Sequence, residues 1–136
     1  MIFPMFAMVL LTFIVAVIAI RARVASVRLR QINLGYYRLM QAEVSGQVPE
    51  RVQVTTRSFN NLFEVPILFY VACIAGLALG HISAFTLIIA WLFVISRIVH
   101  TWIHLTYNNV LHRMTAFWLG LILVLVLWIE QVLMVL

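Results

Sequence analysis

The stretch TTRSFNNLFEVPILFYVACIAGLALG, residues 55–80, joins a short polar segment to a long apolar run. About 20 apolar residues in a helix cross the hydrocarbon layer of a membrane, so the run from Phe59 is long enough to span it. Arg57, Asn61 and Glu64 nevertheless lie at the mouth of this run. The stretch therefore predicts a membrane helix whose entrance carries a base, an amide and an acid.

The composition of the whole chain agrees with this interpretation. Of the 136 residues, 65% are hydrophobic and only 10% are charged, and the mean hydropathy is +1.12. A soluble domain of this length needs more polar surface to cover its core. Because the apolar runs are continuous and not alternating, they favour helices over a barrel. We expect an all-α integral membrane protein whose surrounding medium is the lipid bilayer.

Four apolar runs are long enough to span, and we expect them to form one four-helix domain, residues 1–136, with spans at about 2–20, 59–79, 82–107 and 114–136. The first run lacks a basic leader and a small-residue cleavage site, which favours a retained span. The turn at Gly80–His81 predicts an antiparallel pair of helices, and Pro66 predicts a bend or a broken hydrogen bond in the second span.

The charges are distributed unevenly along the chain. The net charge is +5, with nine Arg, no Lys, four Glu and no Asp. Seven of the nine arginines fall in the segment 21–58, and Arg113 lies in the other loop on the same side. The positive-inside rule therefore predicts that the Arg-rich loops are cytoplasmic and that both termini are outside. Because these arginines lie beside membrane spans, we expect their partners to be lipid headgroups and an anionic substrate. We expect no nucleic acid as a partner.

Polar residues follow a helical spacing in the second span and again in the third. Arg57, Asn61 and Glu64 are spaced i, i+4, i+7, so they share one helix face within about 60°. In the third span, the same argument from spacings of three and four places three residues on one face: Arg97, His100 and His104.

Counting from the turn predicts that the two polar stripes lie at matching depths. Glu64 is 16 residues before Gly80, and Arg97 is 16 residues after His81. At 1.5 Å per residue, both lie about 24 Å from the outer edge, inside a hydrocarbon layer about 30 Å thick. A buried charge at this depth needs a partner or water, so Glu64 and Arg97 are expected partners within one chain or between two. The excess of arginine predicts a cytoplasm-facing cavity for an anionic ligand.

Three other interpretations of these polar residues remain open. A structural ion pair would explain Glu64 and Arg97 but not the residues stacked above them. The H-x-x-x-H spacing of His100 and His104 suits a metal with Glu64 as a third ligand, but the neighbouring arginines repel a cation, so we expect no metal. A pore is the weakest interpretation, because the polar residues reach only one leaflet. The single cysteine, Cys73, excludes a disulfide within the chain.

The motifs resemble those of a known family. Residues 57–64, RSFNNLFE, have the pattern R-x-x-x-N-x-x-E at the start of a second membrane helix. SRIVHTWIHLTYNNVLHRMTAFWLG, residues 96–120, is similar to the family's R-x-x-H-T segment, with a second arginine sixteen residues after the first. These motifs, in a four-helix chain, resemble those of the MAPEG family (membrane-associated proteins in eicosanoid and glutathione metabolism). The chain is similar to a bacterial-type member of that family.

The resemblance implies a homotrimer in the inner membrane of a bacterium, with glutathione as co-substrate between neighbouring subunits. It implies a transferase or peroxidase activity in which the glutathione thiolate attacks a lipophilic electrophile or a hydroperoxide. A thiol with a pKa of about 8.5 is mostly protonated at neutral pH, so a nearby guanidinium would favour the thiolate. Arg113 is expected to stabilise the thiolate, while the remaining residues would bind the tripeptide or support its site: Arg57, Asn61, Glu64, Arg97, His100, Arg28 and Arg30.

One position departs from the family's usual pattern. His104 stands where studied members often carry a tyrosine, and Tyr107 lies one helical turn further on. Either Tyr107 replaces the missing hydroxyl or His104 donates the hydrogen bond itself. The alternative function is a non-catalytic membrane scaffold, or a partner-binding subunit, that retains the cavity.

Overall fold

The computed structural model of the chain describes residues 1–32, 34–39, 48–80 and 82–136. All the elements in these residues are α-helices: α1 (Ile2–Arg28), α2 (Leu34–Leu39), α3 (Glu50–Asn61), α4 (Val65–Ala78), α5 (Ala84–Leu105) and α6 (Val110–Val135). Of the turn predicted at Gly80–His81, only Gly80, with a φ of 69°, is described, and His81 lies outside the described residues.

Four helical segments are long and apolar enough to cross a membrane: Ile2–Arg28, Glu50–Ala78, Ala84–Leu105 and Val110–Val135. The chain is therefore an all-helical integral membrane protein with four candidate spans. Helix α1 continues eight residues beyond the apolar run that ends at Ile20, so Arg21, Arg23 and Arg28 project from an uninterrupted helix.

The second span is broken between α3 and α4. The amides of Leu62, Phe63 and Glu64 each donate to the carbonyl three residues earlier, in place of the α-helical spacing of four. Pro66 has no amide hydrogen, which removes the bond to Leu62, and it occupies the first turn of α4, where a proline is well tolerated. The bend that the sequence predicts at Pro66 is thus a short break at residues 62–64.

Side-chain caps fix the starts of the last two helices. Ser83 and Thr86 form a reciprocal capping box at the start of α5. At the start of α6, Oδ1 of Asn109 accepts hydrogen bonds from the amides of Leu111, at 3.0 Å, and His112, at 3.2 Å. The Asn109 cap fixes the first turn of α6, which carries Arg113.

The core lies in the middle of the bundle, and side chains from four helices form it. The rings of Phe69 in α4 and Phe93 in α5 are stacked with centroids 4.4 Å apart. Met8 of α1 and Leu127 of α6 are fully buried in the same cluster. Helix α5 packs most extensively on α6, α1 packs on α3, and α4 packs on α6. This packing brings the end of α3, the end of α5 and the start of α6 together at one end of the bundle.

Candidate functional site

A polar cavity of about 340 Å³ opens where α3 and α5 end and α6 begins. Seven polar and two apolar side chains line it: Arg57, Asn60, Asn61, Glu64, His100, His104, Arg113, Met114 and Phe117. Six of these residues belong to the ten that the sequence singled out as site residues. The stripe from the second span therefore faces the same space as His100 and His104 of the third span, whereas Arg97 does not line the cavity.

Asn61 connects the acid of the second span to the arginine of the third. Its Nδ2 atom donates to Oε2 of Glu64 at 3.0 Å, and its Oδ1 atom accepts from Nη1 of Arg97 at 3.5 Å. In the described residues, Arg97 has no carboxylate within 4.0 Å, so the ion pair expected between Glu64 and Arg97 is not formed directly within the chain. The break at residues 62–64 leaves Glu64 exposed at the cavity mouth, and Asn61 lies between the two charges.

Arg97 is a buried cation directly behind the cavity. It is 1% exposed, and its guanidinium lies 5.8 Å from the ring centre of Phe93 and 5.4 Å from that of Phe117. Its Nη2 atom donates to the carbonyl oxygen of Ala116 at 3.3 Å, while its Nε atom has no partner in the described part of the chain. Aromatic faces and a carbonyl dipole therefore stabilise this charge without neutralising it.

Arg113 is held by its side chain and by its backbone. Nη1 of Arg113 donates to Oδ1 of Asn108 at 2.7 Å. The carbonyl oxygen of Arg113 lies 3.0 Å from Nδ1 of His100, which donates in the tautomer that carries its hydrogen on that nitrogen. His100 therefore joins the end of α5 to the start of α6 beneath the cavity.

His104 and Tyr107 have different positions relative to the cavity. His104 is 5% exposed, lines the cavity, and its Nδ1 atom is buried with no hydrogen-bond partner among the described residues. Tyr107 is exposed, does not line the cavity, and its hydroxyl oxygen lies 3.1 Å from Nδ1 of His112. Of the two candidates for the missing tyrosine, only His104 faces the cavity within one chain.

Arg28 and Arg30 lie at the end of α1 and do not line the cavity. Both are exposed, and Arg30 has a left-handed backbone with a φ of 55°. Within a single chain, the structure therefore does not bring this pair to the other predicted site residues.

The charges at the cavity favour an anion. The guanidiniums of Arg57 and Arg113 line it and Arg97 lies behind it, whereas Glu64 is the single carboxylate among the described residues that line it. Arg57 has no partner among the described residues, so its donors are available to a ligand. The described residues hold no group of three His, Cys, Asp or Glu side chains that could bind a metal ion.

Sequence reasoning missed four residues at this site. Asn60, Met114 and Phe117 line the cavity, and Asn108 holds Arg113. The pair Asn108–Asn109 could have been noticed, because asparagine is favoured both in left-handed positions and as a helix cap. Met114 and Phe117 could not have been distinguished from other apolar residues of α6. They give the cavity an apolar side next to its charged one.

The chain was compared with curated proteins, with solved structures and with models of protein families. A search of curated proteins found no match, and neither did a search of solved structures. The model of the MAPEG family matches residues 1–133, nearly the whole chain of 136. The cavity motifs, the four apolar helices and this match together show that the chain belongs to the MAPEG family.

Proposed function

We propose that this protein binds glutathione in the polar cavity and activates its thiol toward lipophilic electrophiles or hydroperoxides dissolved in the membrane. Membership of the MAPEG family supports a membrane role related to glutathione in general terms. The observation that carries the specific proposal is the charge arrangement of the cavity, whose described lining holds two guanidiniums, those of Arg57 and Arg113, and one carboxylate, that of Glu64. The ligand expected for such a site is a small molecule with more negative than positive groups.

Glutathione fits this arrangement by its charges and by its size. It carries two carboxylates and one ammonium group, which matches a site with several guanidiniums and one carboxylate. The cavity, at about 340 Å³, falls within the range of about 300–1,000 Å³ for small-molecule sites. The unpartnered Nε atom of Arg97 and the free guanidinium of Arg57 further support an anionic occupant.

The charged residues of the cavity have distinct roles in this proposal. Arg57 binds a carboxylate, because a guanidinium offers two parallel donors to a planar anion. Glu64 accepts from the ammonium group, and the Nδ2 bond from Asn61 orients its carboxylate. Arg97 acts through Asn61, whose Oδ1 atom it contacts, and adds positive potential behind the cavity. Arg28 and Arg30 reach a carboxylate from the neighbouring subunit of a trimer.

When bound, glutathione supplies a thiolate nucleophile, or reducing equivalents for a hydroperoxide. Arg113 favours the thiolate by its positive charge, and its bond to Asn108 holds its guanidinium in place. His104 donates a hydrogen bond to the sulfur in place of the tyrosine hydroxyl. Met114 and Phe117 give a lipophilic substrate an apolar approach from the bilayer side.

The proposed assembly is a homotrimer in the bacterial inner membrane, with termini outside and the cavity facing the cytoplasm. Glu64 is exposed in the single chain although it belongs to a candidate membrane span, and an isolated charge at that depth is costly. A neighbouring subunit and a ligand that cover Glu64 remove this cost. Native mass spectrometry in mild detergent measures the number of chains.

Calorimetry with the purified protein tests the binding step. We expect the wild-type protein to bind glutathione and Arg57→Ala to bind it about 10–100-fold more weakly, since a hydrogen bond to a charged group contributes about 1.5–3 kcal/mol. S-methylglutathione, which lacks the thiol, serves as the matched ligand and should show the same dependence on Arg57. No binding of glutathione by the wild-type protein would exclude the proposal.

The Arg113→Ala variant separates catalysis from binding. We expect it to bind S-methylglutathione normally, to lose the ultraviolet absorbance of the bound thiolate, and to lose turnover with a lipophilic electrophile. A second candidate function, a non-catalytic glutathione-binding scaffold, is favoured by one observation: no Tyr, Ser or Thr hydroxyl lines the described cavity. Wild-type protein that binds glutathione without a thiolate signal or turnover would select this second function.

A further inference from the structure

A second cavity, of about 580 Å³, lies between the cytoplasmic-side half of α1 and the start of α3. It shares no lining residue with the polar cavity. Its lining comprises two arginines, two polar residues and mainly apolar side chains: Ile18, Arg21, Ala22, Ala25, Ser26, Leu29, Gln31, Pro49, Arg51 and Val52. We call it the α1–α3 cavity. One part of its wall is cationic and the other part is apolar.

The α1–α3 cavity lies at the depth where lipid phosphates occur. Arg21 follows Ile2, the first residue of α1, by 19 residues, which corresponds to about 29 Å along a helix at 1.5 Å per residue. A hydrocarbon layer is about 30 Å thick. Arg21 therefore lies at its boundary if Ile2 lies at the other one, while Ile18 lies on the hydrocarbon side of it.

The two arginines of the α1–α3 cavity have free guanidiniums. In the described residues, neither Arg21 nor Arg51 makes a hydrogen bond or an ion pair through its side chain. Glu50 starts α3 beside Arg51, yet it does not line the cavity and pairs with neither arginine. Arg23, by contrast, donates to the hydroxyl of Thr56 at 3.3 Å and so ties α1 to α3. Arg21 and Arg51 are therefore not needed to hold the two helices together.

The apolar wall distinguishes a lipid from a soluble anion. Ala22 and Val52 are buried residues of the cavity wall, and Ile18 in α1 and Leu29 just after its end add to the apolar lining. A free phosphate would use the guanidiniums and leave this wall in contact with water. An anionic phospholipid offers a phosphodiester to the arginines and an acyl chain to the wall. We propose that the α1–α3 cavity binds one anionic phospholipid, with its phosphodiester between Arg21 and Arg51.

Native mass spectrometry of the full chain in mild detergent tests the site with three probes: phosphatidylglycerol, phosphatidylcholine and inorganic phosphate. The test variant is Arg21→Gln/Arg51→Gln. Since each arginine near an anionic lipid contributes about 1 kcal/mol and a tenfold change corresponds to 1.4 kcal/mol, we expect the variant to bind phosphatidylglycerol about 30-fold more weakly. Phosphatidylcholine should bind weakly to both proteins.

The charge-matched control is Arg28→Gln/Arg30→Gln, which removes two exposed arginines outside the cavity. It should retain phosphatidylglycerol as the wild-type protein does. Arg21→Lys/Arg51→Lys, which keeps both charges and loses the forked geometry, should bind with intermediate affinity. Equal losses in the test and control variants, or equal retention of the two phospholipids, would overturn the proposal. Inorganic phosphate that binds as tightly as phosphatidylglycerol would overturn the choice of a lipid.

Discussion

Asn108 holds the guanidinium of Arg113, with Oδ1 accepting a hydrogen bond from Nη1 at 2.7 Å. Asn108 itself has a φ of 48°, a left-handed conformation that asparagine tolerates better than most residues. The conformation turns the chain between α5 and α6 and aims the amide back at the first turn of α6. We infer that Asn108 positions Arg113 at the cavity.

Replacing Asn108 by glycine removes this bond without straining the backbone, because glycine adopts a positive φ freely. We expect Asn108→Gly to fold with a melting temperature lowered by the lost bond, and to show a weaker thiolate absorbance with bound glutathione. If the misplaced guanidinium interacts with the thiolate about 1.4 kcal/mol more weakly, the pKa of the bound thiol rises by about one unit. Ultraviolet difference spectra across a pH series measure it.

The neighbouring Asn109→Ala is the matched control for Asn108→Gly. Asn109 caps α6 through the amides of Leu111 and His112, and it makes no contact with the guanidinium of Arg113. Loss of an N-cap costs about 1 kcal/mol of stability. Asn109→Ala should therefore lower the melting temperature and preserve the thiolate signal. The same change of the thiolate signal in both variants would show that Asn108 affects the site through the conformation of the α5–α6 connection and not through its bond to Arg113.

Glu64→Gln should weaken glutathione binding without altering the fold. The side chain is exposed, so the substitution removes a charge without burying a polar group. The amide oxygen of the new glutamine can still accept the hydrogen bond from Asn61. Since the proposed partner of Glu64 is an ammonium group, we expect affinity to fall by about tenfold or more. Calorimetry measures the affinity, and Glu50→Gln, an exposed acid outside the cavity, should bind as the wild-type protein does. Unchanged affinity in Glu64→Gln would remove Glu64 from the binding site.

The sequence predicted the general layout of the cavity because that layout follows from helical geometry. Arg57, Asn61 and Glu64 are on one helix face by their spacing alone, and counting from the turn placed them near the stripe of the third span. The observed contact differs from the expected one by about one helical turn: Arg97 contacts Asn61 and not Glu64. The offset follows from the broken helix at residues 62–64, whose dihedral angles no periodicity encodes.

Contacts between helices distant in sequence could not be predicted in the same way. Glu130 lies near the C-terminal end of α6, and the sequence pattern indicates no partner for it. In the structure, its Oε1 atom accepts from the hydroxyls of Ser83 and Thr86, both at 2.7 Å. This contact depends on the rotation of α6 about its axis, which is set by packing along its whole length. The sequence alone does not specify that rotation.

Glu130→Ala should destabilise the bundle and leave the cavity intact. The substitution removes the acceptor shared by Ser83 and Thr86, and each lost hydrogen bond of a part-buried hydroxyl costs about 1–3 kcal/mol. Glu130 is 17 residues after Arg113 on the same helix, or about 26 Å along its axis. We expect a lower melting temperature with unchanged glutathione affinity. Glu130→Gln retains an acceptor and should lose less stability, and a lower affinity in either variant would contradict the separation of the two ends.

Gly120→Ala should affect both stability and the site, because the added methyl group would displace a buried cation. A Cβ atom at position 120 would lie 3.0 Å from Nη2 of Arg97 and 3.0 Å from Oγ of Ser96. Arg97 is 1% exposed and lies near the rings of Phe93 and Phe117, so its guanidinium would have to shift to make room for the new methyl group. Overpacking of this kind costs about 1–3 kcal/mol, and the displaced guanidinium would lose its contact with Asn61.

The control for Gly120→Ala is Gly76→Ala, whose Cβ atom would lie 3.2 Å from the amide of Gln131, outside the cavity. Both variants should melt at a lower temperature than the wild-type protein. Glutathione affinity should fall only in Gly120→Ala, because only this substitution shifts Arg97 and, through Asn61, the orientation of Glu64. Equal affinities in the two variants would mean that Arg97 stabilises the bundle without tuning the cavity. Its burial behind the site would then be a packing feature of α5 and α6 alone.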